Sequence, residues 1–188
     1  MNALTEAARE MPPVGTISAT QPATRRILVV CTANRCRSPM AEGLLANRAA
    51  AERLPLTIAS AGTWADDGLP PTEHAVAVMA ERGVDITKIR STEVTHDLVT
   101  SAYLILAMTS GHREALETEF PVAKGKTWLF SELEGGTWDV EDPVGGSLDD
   151  YRATADQLER LTEAGWRLIS ALVSPPPPVA EGAEAPRA

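Results

Sequence analysis

The residues best suited to chemistry lie in one short stretch of the chain, Cys31-Thr32-Ala33-Asn34-Arg35-Cys36-Arg37-Ser38. An apolar run typical of a buried strand precedes this stretch, and Ser38 followed by Pro39 is typical of the cap and first residue of a helix. A loop between a strand and a helix N-terminus presents backbone N–H groups and the positive end of the helix dipole to an anion. The stretch therefore predicts a phosphate-binding loop over residues 32–38.

Two side chains carry the predicted chemistry of this loop. The planar guanidinium of Arg37 can donate two parallel hydrogen bonds to a phosphoryl group. The same positive surroundings favour the thiolate form of Cys31, and a thiolate is the nucleophilic form of cysteine. A lone cysteine at the end of a strand is otherwise a packing residue. Its place at the start of a C-x5-R-S-P pattern favours a nucleophile here.

A carboxylic acid farther along the chain is the candidate proton donor. Cleavage of a phosphate ester requires a proton for the leaving oxygen. Asp142 lies directly before Pro143, which keeps the backbone of Asp142 extended, and Gly145-Gly146 permit a tight turn. Such a loop can aim the Asp142 side chain at the phosphate. A solvated acidic loop is the alternative interpretation, because other carboxylates crowd the same segment.

The elements that must position these groups follow from the hydrophobic pattern. Strands are predicted over residues 27–31, 56–60, 103–108 and 127–130, and helices over 38–53, 71–82, 110–119 and 148–172. This alternation predicts an α/β three-layer sandwich, in which a four-stranded parallel sheet carries helices on both faces. Ligands of such sheets bind at the carboxyl ends of the strands, where Cys31 is expected.

Composition limits the classes of partner and compartment. The 188 residues carry a net charge of -9, which disfavours general binding to nucleic acid or to a membrane surface. No apolar run approaches a membrane span and no secretory signal is evident, so a cytoplasmic protein is expected. Residues 1–24 are predicted to be a flexible extension and residues 174–188 a disordered proline-rich tail. The functional domain is therefore expected over residues 25–173.

Metal chemistry fits the sequence poorly. Only two cysteines are present, both in the same loop, and His74, His96 and His112 have no spacing that suggests a shared metal. The three histidines are interpreted as surface or helix-capping residues. We expect neither a metal nor a cofactor.

The stretch Val30-Cys31-Thr-Ala-Asn-Arg-Cys-Arg-Ser-Pro-Met-Ala-Glu42 resembles the signature of the low-molecular-weight protein tyrosine phosphatases. The resemblance continues through Ser60-Ala-Gly-Thr63, Leu104-Ile-Leu-Ala-Met-Thr109 and Asp142-Pro143, and it covers nearly all of residues 26–172. It implies a flavodoxin-like fold and the hydrolysis of phosphotyrosine in a phosphorylated protein, without metal or cofactor.

The resemblance also implies roles for individual residues. Cys31 would become a cysteinyl phosphate, Arg37 would bind phosphate, and Asp142 would act first as general acid and then as general base. Asn34 would shape the loop, and Ser38 would hydrogen-bond the thiolate. Cys36 matches the family's second loop cysteine, which can form a disulfide with the nucleophile under oxidation and thereby prevent irreversible over-oxidation.

Two departures from the family pattern bear on the substrate. Arg35 stands where tyrosine-specific members usually carry Ile and the related bacterial protein-arginine phosphatases carry Thr. Val144 follows Asp-Pro where an aromatic residue often lines the cleft, so Trp64 or Trp138 is expected to supply the aromatic wall. The segment from Asp142 resembles the arginine-phosphatase branch, whereas a cationic Arg35 would repel a substrate guanidinium. The substrate pocket is therefore predicted to include Arg35, Trp64 and Val144, with phosphotyrosine as substrate and phosphoarginine as the alternative.

Two further functions remain as alternatives at the sequence level. A similar thiol loop can attack arsenate, but thiol-coupled arsenate reduction requires a relay of cysteines that this chain lacks beyond Cys36. A catalytically weak module that binds phosphorylated ligands would also explain the unusual Arg35 and Val144.

Overall fold

The computed structural model describes residues 25–173, so the predicted extension and proline-rich tail lie outside the described residues. The strands are β1 (Arg25–Cys31), β2 (Leu56–Gly62), β3 (Leu104–Ala107) and β4 (Thr127–Leu129). The helices are α1 (Arg37–Ala51), α2 (Glu73–Glu81), α3 (His96–Ser101), α4 (Ser110–Glu119) and α5 (Leu148–Val173). Two short 3-10 helices, Pro121–Ala123 and Phe130–Glu134, flank β4.

The four strands form one parallel sheet in the order β2-β1-β3-β4, which confirms the predicted α/β architecture. Both faces of the sheet are buried, because alternate side chains of β1 enter different cores. Ile27 and Val29 pack in a core with residues of α1, α2 and α5, whereas Leu28 and Val30 pack with residues of α3 and α4. A strand buried on both faces has no polar alternation, as the β1 sequence shows.

The strand order places the end of β1 at a switch in chain direction. The chain leaves β1 for β2 on one side, then crosses to β3 on the other side. Cys31 pairs with Gly62 of β2, and Val30 pairs with Ala107 of β3. Loops that follow neighbouring strands diverge at such a point and open a crevice beyond the carboxyl ends of the strands. The loop after Cys31 begins in this crevice.

Several predicted boundaries are wrong by one or two residues. Helix α1 begins at Arg37 with Cys36 as cap residue, because the Ser38 side chain bonds within the loop instead of capping the helix. Helix α2 begins at Glu73 because the Thr72 hydroxyl accepts the N–H of Ala75 and caps it. Helix α3 was not predicted, since six residues are too few for a periodic pattern.

The third and fourth strands are shorter than predicted. Strand β3 ends at Ala107, and Phe130 starts a 3-10 helix rather than extending β4. None of the helices within residues 25–173 is both long enough and apolar enough to cross a membrane.

Candidate active site

The loop between β1 and α1 is bent by Asn34, which has a left-handed backbone with φ of 52°. Asparagine tolerates this conformation better than most residues. Its side chain is completely buried and ties the loop to two neighbouring segments. Nδ2 donates to Oγ of Ser60 at 2.7 Å, and Oδ1 accepts the backbone N–H of Thr92 at 2.9 Å. The bend is thus fixed from β2 and from the segment that precedes α3.

The backbone amides of the loop are left available to an anion. Within the described part of the chain, no N–H of residues 33–38 donates a hydrogen bond to another residue. The first helical hydrogen bond at this end joins the N–H of Met40 to the carbonyl of Cys36. Successive free amides that follow a curved backbone form a nest for a phosphate, and the N-terminus of α1 adds its dipole.

A chain of hydrogen bonds leads from the Cys31 thiol into the protein. Sγ of Cys31, which is 2 % exposed, lies 3.0 Å from Oγ of Ser38. Ser38 Oγ accepts from Nδ2 of Asn34 at 2.9 Å, so its hydroxyl proton can point at the sulfur, with the carbonyl of Ala61 at 3.5 Å as the other acceptor. Beyond Asn34, Ser60 donates to the carboxyl group of Glu42. Burial raises the pKa of Glu42, while the hydrogen bond from Ser60 opposes this rise.

Gly62 allows the loop to lie directly against the end of β2. A Cβ atom at this position would be 2.3 Å from the carbonyl oxygen of Thr32 and 3.0 Å from the amide nitrogen of Asn34. The neighbouring N–H groups of Thr63 and Trp64 donate to the carbonyls of Cys31 and Thr32 at 2.9 and 3.0 Å. The loop backbone is therefore held by β2 on one side.

Arg37 is held by partners from three directions. Nη1 donates to the carbonyl of Val140 at 3.1 Å, and Nη2 donates to Oγ1 of Thr32 at 3.3 Å and forms an ion pair with Asp142. The guanidinium is 4 % exposed. Its Nε is buried without a hydrogen-bond partner among the described residues. An unpaired donor on a buried cation is costly to a protein, and a phosphoryl oxygen would satisfy it.

Asp142 reaches the loop on a segment anchored at the end of β3. Val140 is fully buried, and its N–H donates to the carbonyl of Met108 at 2.8 Å. After Pro143 the chain turns back through a hydrogen bond from the N–H of Gly146 to the carbonyl of Pro143. The Asp142 side chain is 36 % exposed, so it lies between Arg37 and solvent. This geometry brings Cys31, Arg37 and Asp142 to one site.

The second loop cysteine, Cys36, contacts two hydroxyl groups, but its burial outweighs their effect on its pKa. Sγ of Cys36 is 3.3 Å from Oη of Tyr151 and 3.6 Å from Oγ1 of Thr72. Burial raises the pKa of Cys36, which is therefore a neutral thiol at neutral pH. Both cysteines are free. No sequence signal pointed to Tyr151 or Thr72 at this site, because both lie far from the loop along the chain.

The residues predicted to line the substrate pocket differ in exposure. Trp64 lies beside the loop, since its backbone N–H donates to the carbonyl of Thr32, and Trp64 is 83 % exposed. Val144, two residues after Asp142, is 63 % exposed. Arg35 is half-buried, and its Nε donates to the carbonyl of Pro70 at 3.0 Å. Trp138 instead packs against the core, with Arg160 over its ring, so the structure does not present it as a wall of the site.

His112 is buried at the site, contrary to the predicted surface or capping position. Its ring is 8 % exposed, with Nε2 2.9 Å from Oγ1 of Thr32 and Nδ1 2.9 Å from Oγ1 of Thr109. His74 and His96 are exposed, as predicted. Only the order of the strands brings the turn after β3 beside Thr32, so no local sequence pattern marked His112 as a site residue. No group of three His, Cys, Asp or Glu side chains within residues 25–173 is arranged to hold a metal ion.

Comparison with known proteins agrees with this geometry. Residues 26–171 match the model of a family described as low molecular weight phosphotyrosine protein phosphatase. A protein-arginine-phosphatase of Geobacillus stearothermophilus is 41% identical over 140 residues, which are 73% of this chain and 91% of the relative. A probable low molecular weight protein-tyrosine-phosphatase, EpsP of Ralstonia nicotianae, is 35% identical over 149 residues, covering 79% of this chain and 98% of that protein.

A solved structure extends the likeness to three dimensions. The low molecular weight protein tyrosine phosphatase from T. tengcongensis superposes with a TM-score of 0.74 at 36% identity, over 77% of this chain and 99% of that one. The family model covers nearly every residue between the start of β1 and the end of α5. With the sequence match, the sheet order and the loop all in agreement, this chain belongs to the low molecular weight phosphotyrosine protein phosphatase family.

Proposed function

We propose that this phosphatase hydrolyses a phosphorylated protein through a cysteinyl phosphate formed on Cys31. The observation that carries the proposal is the buried thiol at the centre of a loop of free amides, beside a guanidinium with an unpaired Nε. The thiolate attacks phosphorus as the bond from phosphorus to the leaving oxygen breaks. Arg37 and the amides of residues 33–38 stabilise the charge on the three equatorial oxygens of the transferring group.

Asp142 serves both halves of the proposed reaction. In the first step its carboxylic acid gives a proton to the leaving oxygen, which departs as a neutral hydroxyl. In the second step a water molecule attacks the cysteinyl phosphate, and the Asp142 carboxylate takes the proton of that water. The bond between sulfur and phosphorus breaks, phosphate leaves, and the thiolate of Cys31 is restored. The Ser38 hydroxyl, 3.0 Å from the sulfur, stabilises the thiolate in both steps.

We assign phosphotyrosine as the substrate, and Arg35 is the residue that favours it. A guanidinium at the loop attracts the face of a phenyl ring but repels the guanidinium of phosphoarginine. The exposed side chain of Trp64 offers a second contact to an aromatic ring, and its backbone N–H donates to the carbonyl of Thr32. Phosphoarginine is the second candidate, because relatives 41% and 40% identical are protein-arginine-phosphatases and Val144 supplies no aromatic wall.

The test compares hydrolysis of phosphotyrosine and phosphoarginine peptides by the parent protein and by Cys31→Ser. We expect turnover in the presence of EDTA, and a loss of roughly a thousandfold or more in Cys31→Ser because the nucleophile is removed. Cys36→Ser is the matched control, since its sulfur is a neutral thiol bonded to Tyr151, and it should lose far less. Normal turnover by Cys31→Ser would refute the mechanism. Faster turnover of the phosphoarginine peptide than of the phosphotyrosine peptide would identify phosphoarginine as the substrate instead.

We also propose that the enzyme works in the cytoplasm. The reaction needs Cys31 as a free thiol, and both cysteines are free in the structure. A reducing compartment maintains that state. Activity that survives only with added reductant would agree with this location.

A further inference from the structure

His112 joins the phosphate loop to the cap of α4. Its Nε2 contacts Oγ1 of Thr32 across 80 positions of sequence, while its Nδ1 contacts Oγ1 of Thr109. Thr109 is itself fixed, because its hydroxyl oxygen accepts the N–H of His112 at 3.1 Å. The imidazole is therefore held at one nitrogen by its own helix and uses the other nitrogen to reach the loop.

The atom that His112 reaches is also a partner of Arg37. Oγ1 of Thr32 accepts from Nη2 of Arg37 at 3.3 Å. The remaining partners of the guanidinium are the carbonyl of Val140 and the carboxylate of Asp142. In the proposed reaction Asp142 exchanges a proton with the leaving oxygen and cannot keep its ion pair at the same time. Only Val140 and Thr32 then remain to orient Arg37 toward the phosphoryl group.

The neutral form of the His112 imidazole is suited to a position near the Arg37 guanidinium. Burial, and after it the nearby Arg37 guanidinium, lowers the pKa of His112 to about 4, against the opposing effect of Asp142 and Asp139. A neutral imidazole has one donor nitrogen and one acceptor nitrogen, so it can bridge two hydroxyl groups in either tautomer. It also places no second positive charge beside Arg37.

We propose that His112 is a positioning residue for Arg37, acting through the Thr32 hydroxyl that it holds in place. The inference rests on the proposed function in one respect, namely that Arg37 binds a phosphoryl group. The turn between β3 and α4 thus helps to orient the guanidinium of Arg37 once the Asp142 side chain has moved to the leaving group. His112 does not itself touch the substrate.

Two amide substitutions separate the two contacts of the ring. In His112→Gln the amide reaches as far as Nε2 and keeps the contact with Thr32, whereas in His112→Asn the shorter amide keeps only the contact with Thr109. We expect His112→Asn and His112→Ala to lose about tenfold in kcat/KM on an aryl phosphate, the effect of one hydrogen bond to a charged group. Inhibition by inorganic phosphate should weaken in parallel, and His112→Gln should stay within about threefold of the parent.

The controls distinguish positioning from folding. His96→Asn alters an exposed histidine that also contacts a threonine hydroxyl, and it should leave kcat/KM unchanged. The Tm of every variant is measured. If the loss of activity follows the loss of Tm rather than the length of the amide side chain, the proposal is overturned. In Thr32→Val the intermediary hydroxyl is absent, so adding His112→Asn should cause no further loss. Additive losses would also overturn it.

Failure of the proposed function would look different. A parent protein that binds inorganic phosphate in calorimetry but hydrolyses no phosphorylated peptide would refute the phosphatase mechanism. The ranking of His112→Gln above His112→Asn in phosphate affinity would still test the role of His112. Equal affinity of these two variants for phosphate would refute that role, whether or not the parent turns over substrate.

Discussion

The floor and the rim of this active site are built in different ways. We define the floor as Cys31, Asn34, Arg37 and Ser38, and the rim as Arg35, Trp64 and Val144. Floor side chains are buried and hydrogen-bonded to one another or to fixed neighbours, whereas two of the three rim side chains are more than half exposed. In the proposed reaction the floor therefore binds what every substrate shares, a phosphoryl group. The rim meets the part that differs, the leaving group.

The strongest test of this division replaces the floor cation. In Arg37→Lys a single ammonium cannot reach Val140 and Thr32 together and also present two donors to phosphate. We expect kcat/KM to fall by about a thousandfold for every substrate alike, as for the loss of a transition-state donor. Steady-state kinetics on two peptides measures this fall.

The control for Arg37→Lys lies on the same helix. Arg48 forms exposed ion pairs with Glu52 and Glu163, and Arg48→Lys should retain full activity. A loss in Arg37→Lys that differed strongly between substrates would assign the guanidinium to the rim.

The next test displaces the backbone of the loop that carries the floor residues. Gly62→Ala drives a Cβ atom into the carbonyl of Thr32, and backbone atoms on both sides cannot yield cheaply. We expect about 1–3 kcal/mol of destabilisation and about a hundredfold loss of kcat, because a displacement near 1 Å misaligns the loop. Urea denaturation and kinetics measure the two effects. Gly111→Ala, where a Cβ atom meets only ordinary contact, should be stable and active, and equal behaviour of the two variants would contradict the tight packing.

A third test changes the rim alone. Arg35→Thr removes the positive charge but keeps the loop backbone, whose carbonyl accepts the N–H of Thr72 at 2.9 Å. We expect the ratio of phosphoarginine to phosphotyrosine hydrolysis to rise by about tenfold, because a like charge no longer opposes the substrate guanidinium. Competition between the two peptides measures the ratio, with Arg35→Ile beside it as the uncharged variant of tyrosine-specific relatives. An unchanged ratio would remove Arg35 from the rim.

The last test concerns the pH dependence of stability rather than activity. The pKa of His112 is about 4 in the folded protein against 6.5 for an unperturbed histidine. Between these values the unfolded chain binds more protons, so stability is full above about pH 6.5 and decreases as the pH falls toward 4. His112→Gln should flatten this decrease, measured as urea midpoints at pH 7 and 4.5. His96→Gln should keep the slope of the parent, and parallel slopes for all three proteins would contradict a buried neutral ring.

The sequence was sufficient for the parts that depend on local pattern. The uniform apolar run of β1 and the cysteine, arginine, serine and proline after it predict a strand, a loop and a helix, and the structure has all three. The binding of phosphate by this loop stays a prediction. The parallel sheet followed from connections that cross over between strands, whereas the order β2-β1-β3-β4 came from the structure. Asp142 was singled out as the candidate acid because the reaction requires a proton donor and Pro143 marks an extended loop.

Local patterns were not sufficient for the contacts that stabilise the floor. His112 was missed because a histidine near a helix start is usually exposed, and only the sheet order brings the turn after β3 beside Thr32. The local pattern assigned Ser38 to the helix cap, and only the family resemblance implied a hydrogen bond from Ser38 to the sulfur of Cys31; the structure has this contact and a second one with Asn34. A contact across 80 positions decides the environment of His112, whereas contacts within the loop decide that of Ser38.

The raised pKa of Cys36 has a practical consequence for covalent inhibitors. A neutral thiol reacts slowly with alkylating reagents, so modification should stop at a single sulfur per molecule. An electrophile linked to an anionic group would thus give a one-to-one adduct, and its mass increase in intact-protein spectrometry would count the enzyme molecules whose catalytic sulfur is still reduced.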